Sequence, residues 1–162
     1  MSNAFLYRMP SGIPGDVSRK SQSTIESHPV GAQFTTFGLF GKIDATTGKF
    51  VLLAGADTAA SVYGLLVRAY PTQTSQNELG KATPQPNGVQ DVLRRGYMTV
   101  KCNAGTAKKA GTVYVRIAAG TAAKPVGGIE AAADGANSII LPNAFFMHDA
   151  DAQGNVEISF NI

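Results

Sequence analysis

With 162 residues, 44% of them hydrophobic, the chain is long enough for one domain that buries about 70% of the surface its unfolded form exposes. Its net charge of +3 is mild, and only 15% of residues are charged, against the ~25% of an ordinary soluble domain. A protein so poor in charge either hides much of its surface against a partner or presents an unusually neutral exterior. The basic pairs Arg19-Lys20, Arg94-Arg95 and Lys108-Lys109 stand apart from one another and are not interleaved with aromatics, so they make no footprint for a phosphate backbone and no nucleic-acid partner is expected.

No apolar run approaches the ~18 residues of a membrane span, and the opening MSNAFLYRMP lacks a basic stretch followed by an apolar core. A soluble protein without membrane association or signal peptide is expected. The single cysteine, Cys102, allows no intramolecular disulfide, which fits assembly in a reducing cytoplasm.

Residues 1–34 differ in character from the rest of the chain. Prolines at 10, 14 and 29, glycines at 12 and 15 and many Ser and Thr leave no helical or strand period. Prolines remove backbone donors and push their predecessors toward extended geometry. The stretch reads as an extended arm, and Phe5, Leu6, Tyr7, Met9, Ile13 and Ile25 read as anchors that order it on another surface. Residues 35–162 are then the folded domain.

Thr36 to Ala54 reads as a hairpin around Asp44–Gly48, with Gly38 and Gly41 marking a bulge or a close backbone approach. Residues 55–61 form a turn or a single turn of helix. Val62 to Tyr70 is an apolar strand stopped by Pro71, followed by a polar connector, 72–90. Val89 to Arg95 is expected as a short helical turn.

The best-specified stretch comes next. Met98, Val100 and Cys102 alternate with Tyr97, Thr99 and Lys101. Val113, Val115 and Ile117 alternate with Thr112, Tyr114 and Arg116. Period-two patterning with β-branched and aromatic enrichment signals half-buried strands. The two runs are expected to pair as an antiparallel hairpin across the loop Asn103–Gly111, with Tyr97, Tyr114 and Arg116 outward and Cys102 inward as a small buried hydrophobe.

A short strand is expected at Val126–Ile129. A longer one, Ile139–Met147, should sit at a sheet edge because Pro142 interrupts it. In the closing NVEISFNI, Val156, Ile158, Phe160 and Ile162 face inward, and Glu157 and Ser159 face the other way, where they should be replaceable. About seven or eight short strands without a long helix indicate an all-β chain, a two-sheet sandwich or a barrel.

Chemistry is sparse. The two histidines, His28 and His148, are far from each other and from Cys102 in sequence, and no nucleophile-elbow, phosphate-loop or zinc-helix motif occurs. His148–Gly154 has the look of a calcium loop, with Asp149, Asp151 and Gln153 at alternate positions. The twelfth position is Phe160 where a bidentate acid is required, so a turn into the last strand is the better reading. No cofactor, metal or catalytic residue is assigned.

Taken together, PSGIPGDVSR (Pro10–Arg19), YGLLVRAYP (Tyr63–Pro71), DVLRRGYMTV (Asp91–Val100), VYVR (Val113–Arg116), PVGG (Pro125–Gly128) and the terminal EISFN resemble the structural cement proteins of tailed bacteriophages, which decorate and staple a capsid shell. The resemblance implies a jelly-roll-like two-sheet β-sandwich with little helix, an outer-capsid location in the virion, and no enzymatic activity. It further implies the phage major capsid protein as partner and self-association as a dimer or trimer. The candidate interface residues are Arg8, Pro10, Ile13, Pro14, Arg19 and Lys20 in the arm, and Tyr97, Tyr114 and Arg116 on the strands. A carbohydrate- or receptor-binding module on the virion is the alternative, with Tyr97 and Tyr114 as its platform. A small hydrolase has the least support.

Overall fold

The computed structural model describes residues 12–31, 33–69 and 83–162. The strands are β1 (Thr24–Pro29), β2 (Phe40–Ile43), β3 (Phe50–Leu52), β4 (Gly64–Leu66), β5 (Val89–Lys101), β6 (Thr112–Arg116), β7 (Ile129–Glu130), β8 (Ser138–Phe146) and β9 (Asn155–Phe160). Three single turns of 3-10 helix, Lys20–Gln22, Ala59–Ser61 and Gly135–Asn137, are the helical content of the described residues. The chain is all-β. Its strands join one antiparallel sheet in the order β3-β2-β4-β5-β9-β8-β6-β7, with β1 paired on β5, and the sheet curls into a half-barrel rather than separating into two independent layers.

β5 organises that curl. It runs for 13 residues, so the expected helical turn at Val89–Arg95 is instead the first half of the longest strand. Local polarity at Gln90, Asp91, Arg94 and Arg95 obscures the strand period, and tertiary pairing overrides it. Between Thr24↔Arg95 and Ile25↔Leu93 the register slips by one residue at Arg94, a bulge that bends and twists the strand. Gly96 completes the bend with φ +136°, and a Cβ there would run into Ser23. Before the bend Leu93 and Val92 pair with β4, and after it Gly96–Lys101 pair with β9.

The hairpin expected between the two alternating runs does not form. β5 pairs with β9 and β6 pairs with β7 and β8, so two strands separate them. Long-range strands satisfy both ladders, and the connector Asn103–Gly111 spans the curl. β8 is likewise no edge. It lies between β6 and β9, and Pro142 is tolerated because it falls in the irregular stretch of the β6 ladder between Val113↔Leu141 and Thr112↔Phe145, before the β9 ladder begins at Ala144↔Phe160, where no ladder bond needs its missing amide. The β2–β3 hairpin forms as expected, with the Asp44 amide donating to Lys49 O at 2.9 Å and Gly48 at φ +66°. Gly41 marks the close approach, since a Cβ there would sit 2.6 Å from the Phe50 ring.

The concave face carries the main core: Phe40, Leu65, Leu93, Met98, Val100, Val113, Val115, Ile129, Leu141, Phe146, Val156, Ile158 and Phe160. Phe40 and Phe160 meet edge to face at 5.2 Å. A second cluster, Phe50, Leu66 and Val92 with Val30, Phe34, Phe37 and Leu39, lies on the other face of the β2–β4 region, where the last four cover it. Ile162 departs from the expected inward set. Asn161 takes φ +55°, the chain leaves the sheet, and Ile162 is 57% exposed.

Candidate functional site

The described part of the N-terminal stretch is laid along one edge of β5. The Gly15 amide donates to Thr99 O at 2.8 Å, the Thr99 amide to Asp16 O at 2.9 Å, and the Ser18 amide to Tyr97 O at 3.2 Å. After the helical turn Lys20–Gln22 the chain re-enters the ladder as β1, antiparallel to Val89–Arg95. A strand in a segment without period is understandable, because β1 is half-solvated on both faces and has no apolar side to display.

Side chains then fasten this segment. Arg19 lies over the Tyr97 ring with its guanidinium carbon 4.1 Å from the centroid. Its Nη2 donates to Glu157 Oε2 at 2.8 Å and its Nε to Glu157 Oε1 at 3.2 Å, while Ser18 Oγ donates to the same Oε1 at 2.5 Å. The carboxylate raises the Arg19 pKa further, chiefly through that hydrogen bond. Farther along, Tyr63 OH donates to Glu26 Oε2 at 2.6 Å, Arg94 stacks on the Tyr63 ring at 3.6 Å, and His28 Nε2 lies 3.0 Å from Tyr63 OH. The Tyr63 hydrogen bond is the first cause holding the Glu26 carboxyl below its ordinary range.

The arm residues singled out from the sequence fall in different settings. Arg8 and Pro10 lie outside the described residues. Ile13 is 54% exposed, Pro14 O accepts from Arg68 Nε at 3.0 Å, and Lys20 is exposed on the helical turn. Arg19 and Tyr97 are brought together. Tyr97 and Tyr114 are not, because β9 and β8 stand between their strands.

Arg116 is placed differently from its strand parity. It is 2% exposed, and its Nε donates to Glu130 Oε1 at 2.7 Å while Nη2 pairs with Asp134. The loop after β7 covers this part of the outer face, so the guanidinium is spent inside the fold. Asp134 is held below its ordinary range by the same group.

Residues not singled out from the sequence complete the outer surface. Ile140, opposite Tyr114, is 52% exposed and Phe145, opposite Ser159 and Thr112, is 46% exposed. With half-buried Tyr114 they form an apolar patch on β6 and β8. The signal for it was present in the alternation of Ile140 against Leu141 and of Phe145 against Phe146.

The His148–Gly154 segment is a turn. Asp151 Oδ1 accepts the Gln153 and Asn155 amides at 2.9 and 2.8 Å, and Asp149 pairs with Lys108 at 2.6 Å. Among the described residues no group of three or more His, Cys, Asp or Glu is placed to hold a metal ion, and no helix is long and apolar enough to cross a membrane.

Comparison with known proteins gives two findings. A family described as XM1 gp53 minor capsid protein matches residues 1–160. A chain of a structure titled "The capsid of Myoviridae Phage XM1" superposes with a TM-score of 0.66 at 19% identity, covering 99% of this chain and 97% of that one. No curated protein matches the chain.

Proposed function

The chain belongs to the XM1 gp53 minor capsid protein family, and so is a structural, capsid-associated protein of a phage virion; within the virion we propose that it is a cement protein. In this reading it binds the outer surface of the shell formed by the phage major capsid protein, staples neighbouring subunits, associates with copies of itself and catalyses nothing. It folds in the host cytoplasm before joining the shell.

The observation that carries the proposal is the apolar patch of Tyr114, Ile140 and Phe145 on a chain of only 15% charged residues. Stapling needs broad, weakly charged contact surfaces rather than a pocket. The N-terminal 34 residues act as the arm. Its end is anchored by buried Val30 and Phe34, and the part nearer the terminus, with Arg8, Pro10, Ile13, Pro14 and Lys20, faces the capsid. Tyr97 with Arg19 holds the arm, and Tyr114 belongs to the contact patch.

Co-sedimentation with empty capsids that lack the protein tests this reading, with Phe145→Ser and Ile140→Ser expected to weaken binding without unfolding the chain. Equal binding by both variants would remove the patch from the interface. No binding to capsids, with retention on a glycan array, would replace cement by a carbohydrate-binding module.

A further inference from the structure

β1 has two edges of different character. On the inner one the Val30 amide donates to Gly88 O at 2.8 Å, and strand alternation then turns the backbone groups of His28 and Glu26 toward β5 as well. The amides and carbonyls of Ile25 and Ser27 therefore point the other way. Pro29 falls in that outward set, where a missing amide costs no bond of the β1–β5 ladder. Among the described residues no strand pairs with the outward edge.

A row of unpaired backbone groups is a template for another strand. The side chains restrict which strand fits. Glu26 and His28 share a face, with Oε2 and Nε2 3.4 Å apart. If a second, antiparallel copy of β1 is centred on Ser27, Ile25 faces Pro29 of that copy and Glu26 faces its His28, so a carboxylate meets an imidazole on both sides of the axis. Centring on Glu26 instead sets two carboxylates opposite each other, and centring on His28 sets two imidazoles opposite each other. Two carboxylates set opposite each other repel, and centring on His28 leaves Glu26 facing Val30, whereas the Ser27-centred register gives each carboxylate an imidazole N–H to accept from, which selects it.

We propose that the outward edge of β1 is a self-association surface, on which two copies of this chain pair antiparallel about a two-fold axis through Ser27. The contact uses the same patch on both copies, so it closes as a dimer and does not propagate. It rests on the cement reading only in giving that reading's homo-oligomer a surface and a symmetry. A few backbone bonds make a small interface, so the dimer is weak in dilute solution and strengthens where copies are held close together on a shell.

Cysteine cross-linking of the full-length chain in solution tests this without a capsid, so its failure is distinct from failure of the cement reading. Cα atoms of a hydrogen-bonded antiparallel pair lie ~5.5 Å apart, within disulfide reach. Under mild oxidation Ser27→Cys should form a covalent dimer many-fold faster than Ala152→Cys, an exposed control on a distant turn. Sedimentation velocity of the unaltered chain should show a monomer–dimer equilibrium between micromolar and millimolar concentration. His28→Glu should weaken it at least tenfold, and the exchanged pair Glu26→His with His28→Glu should restore it. Equal cross-linking rates for the two cysteine variants would overturn the proposal. So would dimerisation indifferent to His28→Glu, or a chain that stays monomeric throughout and whose β1 becomes protected only on capsids.

Discussion

Arg19 and Glu157 lie 138 residues apart in sequence, yet their guanidinium and carboxylate are joined by two hydrogen bonds of 2.8 and 3.2 Å across the face of Tyr97. The pair ties the N-terminal segment to the last strand of the sheet, and it explains why Glu157, on the face of β9 turned away from the core, is 9% exposed; Ser159 on the same face, between its strand partners Tyr97 and Phe145, is 7% exposed.

Glu157→Ala should therefore be felt, contrary to what alternation in β9 suggests. It removes a partly exposed ion pair and leaves Arg19 and Ser18 without their acceptor, a loss of about 1–2 kcal/mol. The melting temperature should fall by several degrees, and hydrogen exchange should accelerate at residues 15–18. Arg19→Lys should recover only part of the loss, since an ammonium cannot reproduce the two-point contact.

Phe160→Ala should cost ~3–5 kcal/mol, because the ring is 1% exposed and packs on Phe40. Ile162→Ala should leave the melting temperature unchanged. Denaturant midpoints for the two variants check the contrast, and equal midpoints would place Phe160 outside the core.

Breaking the Arg116–Glu130 pair should be as severe. Both residues are at most 2% exposed, so Glu130→Ala leaves a buried guanidinium short of one partner and should cost ~3–5 kcal/mol. A joint Arg116→Met, Glu130→Leu replacement should be milder than Glu130→Ala alone. A double-mutant cycle on urea unfolding measures the difference.

Acid should weaken the fold through Glu26 and Asp134, both held below their ordinary range. A carboxyl depressed in the folded state contributes stability above its unfolded pKa and loses it as pH falls through the folded value. The decline should thus begin below about pH 4–4.5, where free carboxyls protonate, and continue at lower pH. Tyr63→Phe removes the first cause of the Glu26 shift and should flatten part of that decline.

Cys102 should react slowly with thiol reagents in the native protein. Burial raises its pKa, and its Sγ–H donates to Ala104 O at 3.3 Å. Denaturation should restore the reactivity of an ordinary cysteine, and the ratio of the two labelling rates measures the protection.

Alternation by itself determined which side chains enter the core: Met98, Val100, Val113, Val115, Val156, Ile158 and Phe160 all lie inward as their spacing requires. The pleat is local, so a single strand displays its buried face without reference to any partner. The residues Asp44 and Gly48 likewise encode their own turn. Partner choice is different, because backbone ladders are nearly indifferent to side-chain type, and only the closed packing of the curl decides that β5 meets β9 instead of β6. The same holds for Arg94 and Gly96, whose bulge has meaning only once β1, β4 and β9 compete for one strand. It holds again for Arg116 and Glu157, polar residues on a face that reads as solvent-exposed. They are buried because a loop from one end of the sheet and a segment from the other terminus cover them, and a contact between such distant stretches exists only in the folded chain.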